Sequence, residues 1–262
     1  MLKAIAFDLW ETLITNPPEP SRGQERLRLA LITEILREHG AERLEAAYRQ
    51  TWRRCQELYW SEDRDVPCRR QIEHMLELLE LDPRSFDEET LLALEEAYAR
   101  PAIEILPFLV DGAKEVMSDL KSRGYRLGLI SNTGRTPGSA LRQVLGRLDL
   151  APFLDAMVFS NEIGVCKPQR PIFESLRESL GVAYDEMLFV GDNLYVDVHG
   201  AQSCGMRGVH FIPAARGSAV APSVDHGLEI VADAVIRDLR ELPEIVRSLE
   251  CGGLSHRFQS GS

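Results

Sequence analysis

From about residue 113 to residue 249, short β-prone runs alternate with helical stretches, and that alternation leaves few folds open. Helical spacing covers Ala113–Arg123 and stops at Gly124, and the strand Tyr125–Ile130 follows. The pattern repeats as helix Ser139–Leu148, strand Ala156–Phe159, helix Pro171–Leu180 ending at Gly181, and strand Met187–Val190. Val196–Cys204 reads as a helix, Val209–Ile212 as a strand, and Asp233–Leu249 as a last helix interrupted by Pro243. Strands separated by helices join through crossovers, so the fold class is α/β with a doubly wound parallel sheet. The opening run Ala4–Phe7 adds a strand: it is apolar and too short for a core helix.

Between that first strand and the alternating region lies a different kind of sequence. Residues 15–23 hold three prolines and a glycine and read as a linker. From Gln24 to about Arg100 nearly everything is helical. Leu27, Leu31, Ile32, Ile35 and Leu36 recur at helical spacing, and His39-Gly40 gives a stop. Further helices are expected over Leu44–Trp60, Arg69–Leu81 and Asp87–Ala99, with Asp82-Pro83-Arg84-Ser85 as a link. Four helices with short connections make a small bundle that buries its own apolar stripes. The expected organisation is an α/β core over 1–15 and 105–250, an inserted all-helical domain over 16–104, and a flexible Gly/Ser-rich tail over 251–262.

The totals narrow the partners. The chain has 262 residues, 44% of them hydrophobic, enough for a substantial core. A net charge of −11 disfavours nucleic acid or an anionic membrane as the main partner, although a pocket can still attract an anion. No apolar stretch approaches the roughly 20 residues of a membrane span. The five cysteines are scattered with no CxxC pair, which points to reduced thiols and a cytoplasmic setting.

Polar residues gather where the strands end. Four strands end in Asp8, Ser131-Asn132, Ser160-Asn161 and Asp192. A parallel sheet brings such residues to one edge, where open α/β folds bind their ligands. Lys167-Pro168 precedes a helix and can reach that edge, and Asp197 lies five residues beyond Asp192. Three carboxylates, one ammonium and neutral donors suit Mg²⁺ and a phosphoryl group. One carboxylate must then act as a nucleophile, and Asp8 is the best placed.

The set Asp8…Thr12-Leu13, Ile130-Ser131-Asn132, Lys167-Pro168 and Gly191-Asp192…Asp197 resembles the haloacid dehalogenase superfamily in order, spacing and strand context. The helical insert is similar to the cap that this family places after its first motif. The resemblance implies Asp8 as nucleophile and Ser131 and Lys167 on the transferring group, with Asn132 and Trp10 also lining the substrate. It implies Mg²⁺ held by Asp8, Asp192, Asp197 and the main-chain carbonyl of Trp10. The implied substrate is a small phosphorylated molecule.

Trp10 departs from the pattern. Phosphatases of this family usually carry a second aspartate two positions after the nucleophile, to protonate the leaving group and then activate water. An indole donates a hydrogen bond but exchanges no proton near neutral pH. Losing a general acid/base slows a reaction by about 10²–10⁴. Glu11 is a candidate substitute. Three readings stay open: a phosphohydrolase whose substrate has a good leaving group, a carbon–halogen hydrolase needing no acid, and a non-catalytic binding protein on this fold. The retained Gly191-Asp192 pair favours the first, because the dehalogenase branch has replaced that motif.

Elsewhere the plain interpretation prevails. Trp52, Tyr59 and Trp60 are assigned to one face of the second helix of the insert and to packing there. Arg53, Arg54, Arg69 and Arg70 read as solvated surface of the insert, and Cys166 and His199 as packing residues.

Overall fold

The computed structural model describes residues 1–39, 43–213 and 227–251. Gly40 of the expected stop lies outside the described residues, as does the expected tail apart from Cys251.

The first strand, β1 (Ala4–Phe7), is buried along its whole length. Ile5 and Phe7 enter one apolar cluster and Ala4 and Ala6 the other, so both faces of the sheet are covered. Beyond Asp8 the backbone turns sharply, with Glu11 at φ 60°, into the two-residue strand β2 (Ile14–Thr15).

The helical insert follows: α1 (Pro18–Ile35), α2 (Leu44–Leu58), α3 (Cys68–Leu78) and α4 (Glu88–Glu104). The linker expected over 15–23 is half wrong, since α1 already begins at Pro18. Prolines in the first turn need no N–H partner, so a proline-rich start is a helix opening as much as a break. Asp87 caps α4 by accepting from Thr90 N at 2.8 Å. The four helices share one apolar cluster that includes Ile32, Tyr48, Ile72, Met75, Leu94 and Tyr98. Because α2 ends at Leu58, Tyr59 and Trp60 lie in the following turn rather than on its face, though the Trp52 and Trp60 rings are still 4.5 Å apart.

The chain re-enters the core through β3 (Phe108–Leu109), which pairs antiparallel with β2. Then come α5 (Ala113–Ser122), β4 (Arg126–Ser131), α6 (Gly138–Arg147), β5 (Ala156–Phe159), the single turn α7 (Ser160–Ile163) and α8 (Arg170–Leu180). Next are β6 (Met187–Gly191), a π-helical turn over Leu194–His199, α9 (Gly200–Cys204) and β7 (Arg207–Phe211). The chain closes with β8 (Ala234–Ile236) and α10 (Leu242–Glu250).

The helix expected over Asp233–Leu249 is therefore a strand plus a helix. Ala234–Ile236 pair with β7 instead of continuing a helical stripe, and Asp238 restarts the chain by accepting from Arg240 N at 2.9 Å. Pro243 sits in the first turn of α10, where it opens a helix and interrupts nothing.

The six-stranded sheet has the order β5-β4-β1-β6-β7-β8 with every pairing parallel. Residues of α5, α6 and α10 cover one face and residues of α8 and α9 the other, which is the doubly wound α/β fold expected. Among the described residues no helix is long and apolar enough to cross a membrane.

Candidate active site

Strand order and register bring the separated motifs together. β1 lies between β4 and β6, with Phe7 opposite both Leu129 and Val190. Asp8 thus stands level with Ile130 and Gly191, and Ser131 and Asp192 lie one residue further along, about 3.3 Å beyond. Asp8 N continues the ladder by donating to Val190 O at 2.9 Å.

Lys167 enters from the loop between α7 and α8. The Asn132 side chain holds its main chain, with Lys167 N donating to Oδ1 at 2.9 Å and Nδ2 donating to Lys167 O at 3.2 Å. Asn132, expected to line the substrate, uses its amide oxygen and one Nδ2 hydrogen on this peptide. The Lys167 ammonium reaches Asp8 Oδ1 at 2.5 Å, Asp197 Oδ1 at 2.7 Å and Ile130 O at 3.2 Å. It is 1% exposed, an unusual burial for an ammonium unless carboxylates pair with it.

Asp197 is positioned by the segment after β6. Asn193 accepts from Tyr195 N and Val196 N and so starts the π-helical turn, while its own N–H donates to Asp197 Oδ2 at 3.0 Å. A Cβ on Gly191 would overlap the Asp197 carboxyl, so the motif needs glycine for close approach. The carboxylates of Asp8, Asp192 and Asp197 each offer an oxygen within 4.8 Å of the others, and all three residues are buried. Among the described residues the Lys167 ammonium pairs with Asp8 and Asp197 of this group. A hard divalent cation fits the clustered all-oxygen donor set.

Burial pushes the Asp8 carboxyl up to about 6, opposed by the Lys167 ammonium and reinforced by Asp197. Burial would lower Lys167, but Asp197 and Asp8 outweigh it and hold the ammonium above its ordinary range. Lys167 is a fixed cation here, and Asp8 is ionised at neutral pH. The Thr12 hydroxyl lies 3.3 Å from Asp8 Oδ2, and Ser131 is fully buried at the end of β4. The Ser131 hydroxyl lies 3.5 Å from Asn132 O, too long to fix it.

Other residues fall elsewhere. Ser160 and Asn161, expected around the same ligand, open the turn α7 after the outer strand β5 and brace the 133–138 loop. Ser160 Oγ accepts from Thr133 N at 2.9 Å, and Asn161 Oδ1 accepts from Gly138 N at 3.1 Å. Trp10 is half-buried against the core cluster. The Glu11 carboxylate accepts from the Thr15 hydroxyl at 3.0 Å and lies outside the three-carboxylate group. Arg54, Arg69 and Arg70 pair with glutamates of the helical insert, Cys166 is buried, and His199 stacks on Tyr195.

Two participants escaped the sequence reading. His210 on β7 lies with Nε2 3.1 Å from Asp192 O. Asp65, between α2 and α3, accepts from Trp60 Nε1 at 2.9 Å, Val66 N at 2.8 Å, Thr133 Oγ1 at 3.1 Å and Ser160 Oγ. Beside it Asp65 N donates to Gly164 O and Cys166 N to Asp63 O, so the insert is stitched to the loop that carries Lys167. His210 reaches Asp192, and Asp65 reaches Thr133 and Ser160, across stretches of chain too long for a local pattern.

The model of the haloacid dehalogenase-like hydrolases matches residues 2–205. The glyceraldehyde 3-phosphate phosphatase of Methanopyrus kandleri is 30% identical over 255 residues, covering 95% of this chain and 99% of that protein. The ribulose-1,5-bisphosphate 5-phosphatase of Halopiger xanaduensis is 31% identical over 250 residues, covering 94% and 100%. The solved 2-haloacid dehalogenase of Pseudomonas syringae pv. tomato superposes with a TM-score of 0.67 at 22% identity, covering 95% of this chain and 100% of that one. That last likeness is one of fold.

Proposed function

We propose, from the premise that this chain belongs to the haloacid dehalogenase-like hydrolases, that it is a Mg²⁺-dependent phosphatase of a small phosphorylated metabolite with Asp8 as nucleophile. The observation that carries this reading is the buried Asp8–Lys167 pair beside Asp192 and Asp197. A carbon–halogen hydrolase transfers no phosphoryl group, so it has no phosphoryl charge for a third clustered carboxylate and its cation to balance.

Asp8, Asp192 and the main-chain carbonyl of Trp10 would hold Mg²⁺, with Asp197 in the same group. When bound, the cation supplies charge neutralisation to the phosphoryl oxygens. The chain's own residues do the rest. Lys167 and the Ser131 hydroxyl take the phosphoryl oxygens, and Asn132 and Asp197 keep Lys167 in place. An Asp8 oxygen forms a bond to phosphorus as the bond to the leaving oxygen breaks, and that oxygen departs with the electron pair. Water then attacks the aspartyl phosphate, which frees Asp8 and releases inorganic phosphate, with the water's proton passing to phosphate or solvent. Trp10 offers no proton to the leaving oxygen, so the reaction favours weakly basic leaving groups such as acyl phosphates.

The test is phosphate release from acetyl phosphate and p-nitrophenyl phosphate with Mg²⁺ or with EDTA. Release that needs Mg²⁺ and vanishes in Asp8→Asn supports the reading. Release of halide from 2-haloacids with no phosphate release would sink it.

A further inference from the structure

The seam between helical insert and core contains a second polar cluster that the chemistry at Asp8 does not use. α1 buries Gln24 and Arg28 on its inward face, one turn before Ile32. Arg28 is 4% exposed; its Nε donates to Tyr98 O at 2.7 Å and its Nη1 to the Tyr48 hydroxyl at 2.9 Å. From the core side, Arg135 reaches across and lays its guanidinium 3.8 Å from the centre of the Tyr48 ring and 5.0 Å from that of Trp52.

Among the described residues neither guanidinium has a carboxylate partner. Asp65, the buried acid nearby, has its oxygens engaged by Trp60, Val66, Thr133 and Ser160. Arg135 Nη1 and the hydroxyl of the fully buried Tyr98 are both buried with no hydrogen-bond partner among the described residues. They belong to one neighbourhood: the Tyr48 ring under Arg135 lies 6.0 Å from the Tyr98 ring, and the Arg28 guanidinium lies 5.3 Å from the centre of the Tyr98 ring. Stacking on tyrosine is favourable for an arginine. It satisfies no N–H, and a buried donor left unmade is unfavourable. Two cations and an orphan hydroxyl converging without an acid is the donor set of an oxyanion site.

The location suits a substrate. Asn132 is bonded to Lys167, and Arg135 follows three residues later in the same loop, at most about 11 Å away along the chain. We propose that Arg28, Arg135 and the Tyr98 hydroxyl form a subsite for a second oxyanion, a carboxylate or a phosphate, at the far end of the substrate. The substrate class is then a phosphorylated acid or a bisphosphate of a few carbons. This inference rests on the phosphatase reading for its first anion and goes beyond it for the second.

Non-hydrolysable phosphonates test it without turnover. Calorimetric titration of the full chain in Mg²⁺ buffer compares plain alkylphosphonates with ω-carboxyalkylphosphonates and alkane-α,ω-bisphosphonates of two to five carbons. A second anion is expected to tighten binding at least ten-fold at one chain length, and the better of the two acidic series identifies the group. Tyr98→Phe and Arg135→Gln are each expected to erase most of that gain while plain alkylphosphonate binding stays within two-fold and the melting temperature holds. Tyr98→Phe keeps the ring and so tests the hydroxyl even if Arg135→Gln fails to fold. Plain phosphonates that bind as tightly as the acidic ones overturn the subsite and leave the phosphatase reading standing. Variants that weaken every ligand alike, or only lower the melting temperature, also overturn it by assigning the cluster to packing. Absence of any phosphonate binding, together with no phosphate release from acetyl phosphate, instead removes the phosphatase reading and the subsite with it.

Discussion

Lys167→Met removes the buried cation while keeping most of its stem volume. The ammonium contacts Asp8 at 2.5 Å and Asp197 at 2.7 Å, with all three side chains at most 10% exposed. Removing one partner of such a buried pair destabilises by about 3–5 kcal/mol, because the other charge stays buried and unmatched. The effect has a definite sign with pH. Asp8 rises from its ordinary 3.8 to about 6 in the folded protein, so the folded state binds this proton more tightly than the unfolded chain. Stability therefore falls as pH rises from about 4 to about 6, by roughly 3 kcal/mol from this group alone. Without Lys167 the opposing attraction is gone and Asp8 climbs further, so the deficit of the variant is largest at pH 8 and shrinks toward pH 5. Urea denaturation in EDTA at pH 5, 6.5 and 8 reads this directly. Added Mg²⁺ should raise the midpoint of the variant more than that of the native protein, since a divalent cation replaces the missing charge. A deficit below about 1 kcal/mol, or one that is flat across this range, would refute the buried-charge reasoning.

Gly191→Ala places a methyl group into the Asp197 carboxyl and is expected to cost about 1–3 kcal/mol and most of the turnover; native melting and activity would contradict it. Asp65→Ala strands the Trp60 N–H and the Thr133 and Ser160 hydroxyls, with an expected loss of about 3 kcal/mol. Hydrogen exchange should then rise at residues 63–66 and 164–166, and unchanged exchange there would show that Asp65 does not hold the seam. Trp10→Asp supplies a proton donor, so hydrolysis of alkyl phosphates should gain about 10²–10⁴ relative to acetyl phosphate. An unchanged ratio of the two rates would mean that Trp10 does not limit the native enzyme.

Periodicity and punctuation made most of the core legible. The parallel order follows from strands separated by helices, and the motif residues stand at strand ends because each β-prone run stops there. Where the sequence misled, one composition served two local structures. The prolines at 17, 18 and 20 read as a break but open α1, and Ala234–Ile236 suited a helical stripe until β7 offered an edge to pair with.

The chain alone determined which residues carry charge and chemistry: Asp8, Lys167, Asp192 and Asp197 are named by local pattern, whatever surrounds them. Only the folded molecule decided their electrostatics, because burial and separation are properties of three dimensions. The tertiary structure gave Lys167 two carboxylates, set the Asn132 amide on the Lys167 peptide, and set Asp65 on Thr133 and Ser160. It also brought Arg28 and Arg135 to the same tyrosine from opposite sides of the seam. Residues 107 positions apart share no local pattern, and no spacing rule could have joined them.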